Sequence, residues 1–227
     1  MRFEDEIVIE AMNAYKVNER GDIYKGVYIK EELFEFERQE LFDGKMSIML
    51  PKKFVDMPYE YAKIKYPSEN RPEIIKTNEM GDVNFTFSVV DTALTNEMVK
   101  EAKEGMRMII KRIQPANVFF DNEEMNVWKD DVAAGQETIE LKDGNENDAI
   151  EERGCITIGW FDFKSHGLDE KIYQFWYCFP IEGKMVHGIF NCIYSDHILW
   201  KPLLLQVIQS ISDETKDRKG DGKGCAI

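Results

Sequence analysis

Short stretches in which hydrophobic and polar residues alternate run through most of the chain, which is the pattern of strands with one buried and one solvated face. Turn residues such as Asp43-Gly44 separate neighbouring stretches, so adjacent stretches are predicted to pair as antiparallel hairpins. A further strand is predicted to start at Val118 and to run into an acidic tract. The other predicted strands cover residues 33–42, 45–51, 73–77, 83–90, 155–163, 171–179 and 184–194.

Three segments have the apolar spacing or the boundary residues of helices. Pro58 can occupy the first turn of a short helix over residues 59–65. Residues 95–114 are predicted to form the clearest helix, because apolar side chains recur along them every three or four positions. A last helix is predicted to begin at Ser195 and to have an apolar face that extends to Ile211.

The helix over residues 95–114 is predicted to have one apolar and one basic face. A solvated surface is the favoured interpretation of the basic face, and the alternative is that it docks an acidic partner or the chain's own acidic tract. The apolar face comprises Met98 or Val99, Ala102, Met106, Ile109, Ile110 and Ile113. The basic face comprises Lys100, Lys103, Arg107 and Lys111.

Helices early and late in the chain, a long helix midway and mostly meandering strands between them predict an α+β fold. We expect a mostly antiparallel twisted sheet of about six to eight strands, flanked by a long central helix and a C-terminal helix. The domain is predicted to cover residues 32–212, with an acidic insertion at about 121–152. Residues 1–31 are predicted to form an N-terminal extension packed on or beside this core, and residues 213–227 a flexible polar tail.

This order of elements resembles the PsbP-like superfamily, which includes the photosystem extrinsic protein, a Ran-binding release factor and uncharacterised bacterial proteins. The resemblance begins at FDGKMSIMLPKKF (residues 42–54), where an apolar strand ends in Pro and an aromatic residue follows shortly. It continues at YPSENRP (66–72) and DVNFTFS (82–88) and covers roughly residues 32–212. It implies a PsbP-like sandwich with a binding or scaffold role, and it transfers no catalytic residue to this chain.

Composition and charge narrow the classes of partner. The 227 residues are 43% hydrophobic, enough for a substantial core, and carry a net charge of −14. Residues 115–153 alone hold 12 acidic and 3 basic side chains. Such a chain repels phosphates and anionic membranes, so neither nucleic acid nor a membrane is a predicted partner. The acidic start of the chain and the lack of a long apolar run predict a cytoplasmic protein.

The residue types that carry catalysis are present but scattered. His166, His187 and His197 lie far apart and lack the spacing of metal ligands. One interpretation is a Cys nucleophile, Cys155 or Cys178, beside a His, but a buried structural thiol is favoured. A disulfide between Cys178 and Cys192 is not expected, because a cytosolic setting keeps thiols reduced.

Residues 143–148 place oxygen ligands at three positions of a calcium loop but lack its Gly and its terminal Glu, which favours a solvated loop. The sequence thus predicts no catalytic residue, no metal and no cofactor.

The acidic tract contains the candidate site. Met125, Val127 and Trp128 interrupt its charge, and apolar anchors ringed by carboxylates can recognise a basic or partly apolar protein or peptide. The alternative is that these apolar residues cover the sheet edge or the core. The predicted partner-binding residues are Asp121, Glu123, Glu124, Trp128, Asp130 and Asp131.

The predicted function is that of a non-enzymatic adaptor or chaperone-like module. Two alternatives stay open: an enzyme or small-molecule receptor with a pocket between sheet and helix, and a self-associating structural subunit. The sequence predicts neither the oligomeric state nor the identity of a ligand.

Overall fold

A computed structural model describes residues 21–30, 32–128, 155–167 and 170–215 and shows an α+β architecture. The helices within these ranges are α1 (Tyr59–Lys65), α2 (Val99–Ile113) and α3 (His197–Gln209), and short 3-10 helices precede α2 (Asn96–Met98) and α3 (Tyr194–Asp196). The strands are β1 (Gly21–Asp22), β2 (Gly26–Ile29), β3 (Glu32–Phe34), β4 (Phe36–Leu41), β5 (Met46–Pro51), β6 (Val55–Asp56), β7 (Ile74–Thr77), β8 (Asn84–Ala93), β9 (Val118–Val127), β10 (Ile156–His166), β11 (Lys171–Ile181), β12 (Lys184–Ile193) and β13 (Ser212–Asp213).

The described strands form three antiparallel sheets. The central sheet has seven strands in the order β6-β7-β8-β12-β11-β10-β9, which confirms the predicted antiparallel sheet. Two smaller sheets have the orders β1-β2-β3 and β13-β5-β4. The predicted hairpins are present as β4–β5 and β7–β8, and the predicted meander as β10–β11–β12. Local alternation was sufficient for these pairs because their strands are neighbours in sequence.

The two faces of the central sheet pack against different elements. On one face, rings such as Trp160, Phe175 and Tyr177 join the main core, to which α3 and the β4–β5 hairpin also contribute. On the other face, a smaller cluster that includes Phe161 and Trp176 packs against α2. Aromatic rings of β10 and β11 therefore fill both layers, as expected for a sheet buried on both sides.

Helix α2 lies close to β10 because β10 has a glycine at the contact. A Cβ atom on Gly159 would lie 2.8 Å from Cγ1 of Val99 and 3.2 Å from Cβ of Lys103. The prediction of the apolar face of α2 was partly wrong, since Ile109 and Ile113 are 51% and 71% exposed. The helix instead packs its Val99, Ala102, Met106 and Ile110 stripe on the sheet.

The cysteines and several segments singled out in the sequence can be compared with the structure. Cys155, Cys178 and Cys192 are buried, as expected for structural thiols, and Cys178 and Cys192 are not joined in a disulfide. Ile23, Val27 and nearby apolar residues belong to the main core, while most of the predicted N-terminal extension lies outside the described residues. The candidate calcium loop lies outside them as well. No helix within the described ranges is long and apolar enough to cross a membrane.

Candidate functional site

The acidic tract begins inside strand β9, which forms one edge of the central sheet. Within the described residues β9 pairs only with β10. After Asp121, odd-numbered side chains point towards α3, because Met125 and Val127 belong to the main core. Even-numbered side chains point towards α2, where Asn122 and Glu124 make their contacts. The strand thus presents a different polar surface on each side of the sheet.

A β-bulge in β9 brings two consecutive side chains to the α3 face. Phe161 is the ladder partner of Asn122 and Phe163 that of Phe119, so Phe120 and Asp121 together oppose Asp162. The backbone N–H of Asp121 donates to Oδ1 of Asp162 at 2.8 Å. The fully buried Asp162 carboxylate therefore satisfies an N–H group that the bulge removes from the regular ladder.

The same carboxylate anchors a lysine from α3. Nζ of Lys201 lies 2.7 Å from Oδ2 of Asp162 and 2.5 Å from Oδ2 of Asp121, and the hydroxyl of Tyr173 donates to Oδ2 of Asp162 at 2.8 Å. Burial opposes the charged form of Lys201, but the two carboxylates outweigh it and raise the pKa of Lys201. Burial, reinforced by Asp162, raises the pKa of Tyr173, so its hydroxyl stays a donor. We call Asp121, Asp162, Tyr173 and Lys201 the Lys201 cluster.

A second buried lysine holds β9 from the α2 face. Lys103 is only 1% exposed, and its Nζ donates to Oε1 of Glu124 in a short hydrogen bond. Nζ of Lys103 also lies 3.7 Å from Oε1 of Glu104. Asn122 of β9 donates to the same Glu104 at 2.5 Å, and this hydrogen bond is the main cause of the lowered pKa of Glu104. The two strand residues are thus tied to two helix residues.

These contacts correct the interpretation of the basic face of α2. A solvated surface is wrong for Lys103, which is buried and docks the chain's own acidic tract, the alternative weighed from the sequence. Lys100 and Lys111 are exposed, as a solvated face requires. The physical reason for the difference is that position 103 faces β10 and β9 across Gly159, where a lysine stem can lie against the sheet.

The structure divides the predicted partner-binding residues into engaged and available groups. The carboxylates of Asp121 and Glu124 are engaged by Lys201 and Lys103. Glu123 is exposed and makes no ion pair within the described chain, and Trp128 is half-buried immediately after β9. Asp130 and Asp131 lie outside the described residues. The assignment of these six residues to partner binding stays a prediction.

Sequence reasoning missed Asp162, Tyr173 and Lys201. One signal was available: Asp162 is the only charged residue between positions 155 and 163, in a segment otherwise suited to a buried strand. A lone carboxylate in such a strand requires a buried partner. Which residue would supply that partner was not visible, because Lys201 follows 39 positions later and on another element.

An aromatic patch lies beside the Lys201 cluster, at the start of α3. The ring centroids of Tyr194 and His197 are 4.4 Å apart in a stacked pair, and Phe120 stacks on Tyr194 at 6.2 Å. Nζ of Lys164 lies 5.1 Å from the centroid of Tyr194. Phe120 is 38% exposed, so the bulge presents a partly solvent-facing ring next to a carboxylate.

The residues with potential for nucleophilic chemistry meet, but in a state that disfavours it. Cys178 and His187 are ladder partners on β11 and β12, a juxtaposition that the sequence did not indicate. Burial raises the pKa of the Cys178 thiol to about 12 and lowers the pKa of His187. Nδ1 of His187 is buried and has no hydrogen-bond partner within the described chain. A reactive cysteine needs a lowered thiol pKa, so the raised pKa of Cys178 is typical of a structural thiol.

The other histidines occupy separate places. His166 is exposed at the end of β10, whereas His197 is half-buried and its Nδ1–H donates to the carbonyl of Tyr194 at 2.6 Å. Within the described ranges, no group of three or more His, Cys, Asp or Glu side chains is placed to hold a metal ion.

Comparison with known proteins locates the fold. No protein-family model and no curated protein matches the chain. The solution structure of cyanobacterial PsbP (CyanoP) from Synechocystis sp. PCC 6803 matches with a TM-score of 0.50 and 9% sequence identity, over 83% of this chain and 98% of that one.

Two further solved structures match with lower scores. The Ran-binding protein Mog1p from Saccharomyces cerevisiae has a TM-score of 0.41 and 10% identity, over 81% of this chain and 98% of its own. Protein PA94 of unknown function from Pseudomonas aeruginosa has a TM-score of 0.38 and 8% identity, over 77% and 94% of the two chains. The predicted PsbP-like fold is confirmed by the CyanoP match, and at 9% identity that match shows the fold alone.

Proposed function

We propose that this chain is a non-enzymatic protein-binding module, an adaptor or chaperone-like protein, that recognises a basic and partly apolar segment of a partner protein along β9. The observation that carries this proposal is the position of Glu123. Its exposed carboxylate lies on the edge strand between the half-buried Asp121 and Met125, and no cation within the described chain neutralises it. A partner lysine or arginine can therefore approach Glu123 beside an apolar contact.

The charge balance on the two sides of β9 supports a basic partner on the α3 side. There, Lys201 faces the carboxylates of Asp121 and Asp162, Lys164 lies over the ring of Tyr194, and Glu123 adds a third carboxylate. On the α2 side the charges are balanced, because Lys103 and Arg107 face Glu104 and Glu124. The α3 side of the edge thus carries the excess negative charge, which steers a cationic segment towards it.

A binding experiment with a matched charge control tests the proposal. The tagged full chain is used to recover proteins from a lysate of its host, and bound partners are identified by native mass spectrometry. Glu123→Lys is expected to reduce recovery of the specific partner about tenfold, since it replaces an attraction with a repulsion. Trp128→Ala is expected to weaken it as well, because it removes an apolar contact that follows the strand.

Glu79→Lys provides the control, because it makes the same change of charge at an exposed residue of the β7–β8 turn. Three strands, β12, β11 and β10, separate β8 from β9 in the sheet. We expect recovery to be unchanged in this variant. A partner that is recovered equally by wild type, Glu123→Lys and Trp128→Ala would contradict the proposed surface, and charge reversal at Asp130 and Asp131 extends the same test.

A further inference from the structure

The two edges of the central sheet differ in length. At one edge β6 has two residues, whereas at the other edge β9 has ten. Every second residue of an edge strand directs its N–H and C=O groups away from the sheet, where they are free to pair with another chain. Short edge strands limit such pairing, and β9 lacks that protection.

The side chain of Asn96 shows which backbone groups of β9 point outward. Its Oδ1 accepts a hydrogen bond from the N–H of Thr157 at 2.9 Å, and β9 occupies the opposite side of β10. The backbone of Thr157 therefore points away from β9, and that of its ladder partner Asn126 points away from β10. Alternation along the strand gives the same outward direction to Glu124 and Asn122.

Both faces of the sheet hold this edge in place. Lys103 fixes β9 through Glu124 from the α2 side, and Lys201 fixes it through Asp121 from the α3 side. An incoming segment consequently meets a strand that is already ordered, and only the segment itself loses conformational freedom on binding.

Charge argues against two other occupants of the edge. A second copy of the chain would bring its own Glu123 and Glu124 against the same carboxylates, and like charges placed across a strand pair are destabilising. Residues 129–154 hold nine acidic and three basic side chains, a net charge of −6, and are repelled in the same way. A basic segment has the complementary charge.

We propose that the partner segment binds to β9 as an added β-strand, with hydrogen bonds to the backbone of Asn122, Glu124 and Asn126. The inference rests on the proposed function and specifies its mode of recognition. The segment is extended and places basic residues at every second position, on the α3 side where it meets Glu123, and apolar residues at the intervening positions, on the α2 side. Main-chain hydrogen bonds contribute affinity, and the Glu123 carboxylate favours a segment with positive charge.

A peptide of about eight alternating Arg and Val residues serves as the probe, since a strand of this length spans most of an edge. Two further peptides carry N-methyl groups on its odd or on its even backbone nitrogens. The three peptides have the same side chains, and the methylated pair has the same number of methyl groups. In an added strand only one of the two sets of N–H groups faces β9.

We expect one methylated peptide to bind the full chain about tenfold more weakly or worse, because each blocked N–H removes a hydrogen bond, and the other to bind within about twofold of the parent. Hydrogen exchange, read by NMR on the full chain, provides the second readout. On addition of the parent peptide, the amides of Asn122, Glu124 and Asn126 should become protected.

The outcomes separate this inference from the proposed function. If the parent peptide binds and Glu123→Lys weakens it while both methylated peptides bind equally, strand addition is overturned and the proposed function stands. If the parent peptide does not bind to the wild-type chain, both are overturned. Protection of the three amides before peptide is added, either in the monomer or only at high protein concentration, shows that the chain itself or a second copy occupies the edge, which also overturns the inference.

Discussion

Lys103 and Lys201 contact strand β9 from opposite faces of the central sheet. Each forms an ion pair with one buried member, which is the lysine on the α2 face and the carboxylate on the α3 face. In the pair of Lys103 and Glu124, the lysine side chain keeps 2% of its surface exposed and the carboxylate 32%. In the pair of Lys201 and Asp162, the lysine keeps 22% and the carboxylate 1%. The buried member of an ion pair depends on its partner, because it has no access to water when that partner is lost.

This difference predicts which substitution is most damaging on each face. On the α3 face, loss of the cation Lys201 should be the more damaging change. On the α2 face, loss of the anion Glu124 should be the more damaging change. The comparison is informative because both lysines reach the same strand, so a general weakening of β9 cannot account for opposite responses.

The largest effect is expected for Lys201→Met, which leaves the buried Asp162 carboxylate without its counter-ion. The free energy of unfolding should fall by about 3 kcal/mol, at the lower end of the cost of breaking a buried ion pair, since Tyr173 and the Asp121 N–H still donate to Asp162. Urea unfolding measures this change. The double variant Lys201→Met with Asp162→Asn should recover part of the loss, and a double variant less stable than the single one would contradict the assignment.

A smaller loss is expected for Glu124→Gln on the other face. The Lys103 ammonium remains buried and retains only Glu104, 3.7 Å away, so the free energy of unfolding should fall by about 2 kcal/mol. The amide oxygen of Gln still accepts a hydrogen bond, which limits the effect. A change below about 0.5 kcal/mol, the usual range for surface residues, would show that Lys103 does not depend on this carboxylate.

Lys103→Met should cost less than Glu124→Gln, about 1 kcal/mol in the same urea experiment. Met keeps most of the buried stem, and the released Glu124 carboxylate can be hydrated because a third of it is already exposed. If Lys103→Met proved as damaging as Lys201→Met, the contrast between the two faces would be lost.

The smallest effect concerns alkaline stability. Lysine loses its proton near pH 10.5 in an unfolded chain, but Asp162 and Asp121 raise the pKa of folded Lys201. Above pH 10.5 the folded state therefore holds more protons than the unfolded state, and the free energy of unfolding falls as pH rises. The slope for one group is at most about 1.4 kcal/mol per pH unit.

Variants isolate the contribution of Lys201 to this slope. The pKa of Tyr173 is raised too, so its contribution has the same sign, and the comparison is best made in a Tyr173→Phe background. In that background, Lys201→Met should show a shallower decline between pH 10 and 11 than the parent. An identical decline would show that Lys201 does not contribute to the fall in the free energy of unfolding.

The strand pairings that the sequence predicted are those between strands that follow one another closely in the chain. The β4–β5, β7–β8 and β10–β11–β12 pairings follow from alternation and turn residues, and α1 has its predicted bounds of Tyr59–Lys65. The position of β9 at the edge, and of β8 beside β12, was not predictable, because alternation specifies the face of a side chain and not the neighbour of a strand.

The candidate site was predictable only in outline. The sequence located the acidic tract, but Asp121 and Lys201 are separated by 80 positions, and no local pattern indicates that they meet. For the same reason Lys103 resembled its exposed neighbours Lys100 and Lys111, although the bare backbone of Gly159 gives it a buried place. Glu123 differs from Asp121 and Glu124 only in which cations the fold brings near.

The bulge at Phe120 and Asp121 gives β9 one point at which it can lose a residue without a change of register. Before it, even-numbered side chains face α3, and after it odd-numbered ones do. Deletion of one of these two residues would restore a regular ladder and leave Glu123 on the α3 side and Glu124 on the α2 side. In relatives, a one-residue deletion within β9 should therefore be found at the bulge, because a deletion elsewhere in the strand shifts side chains to the opposite face.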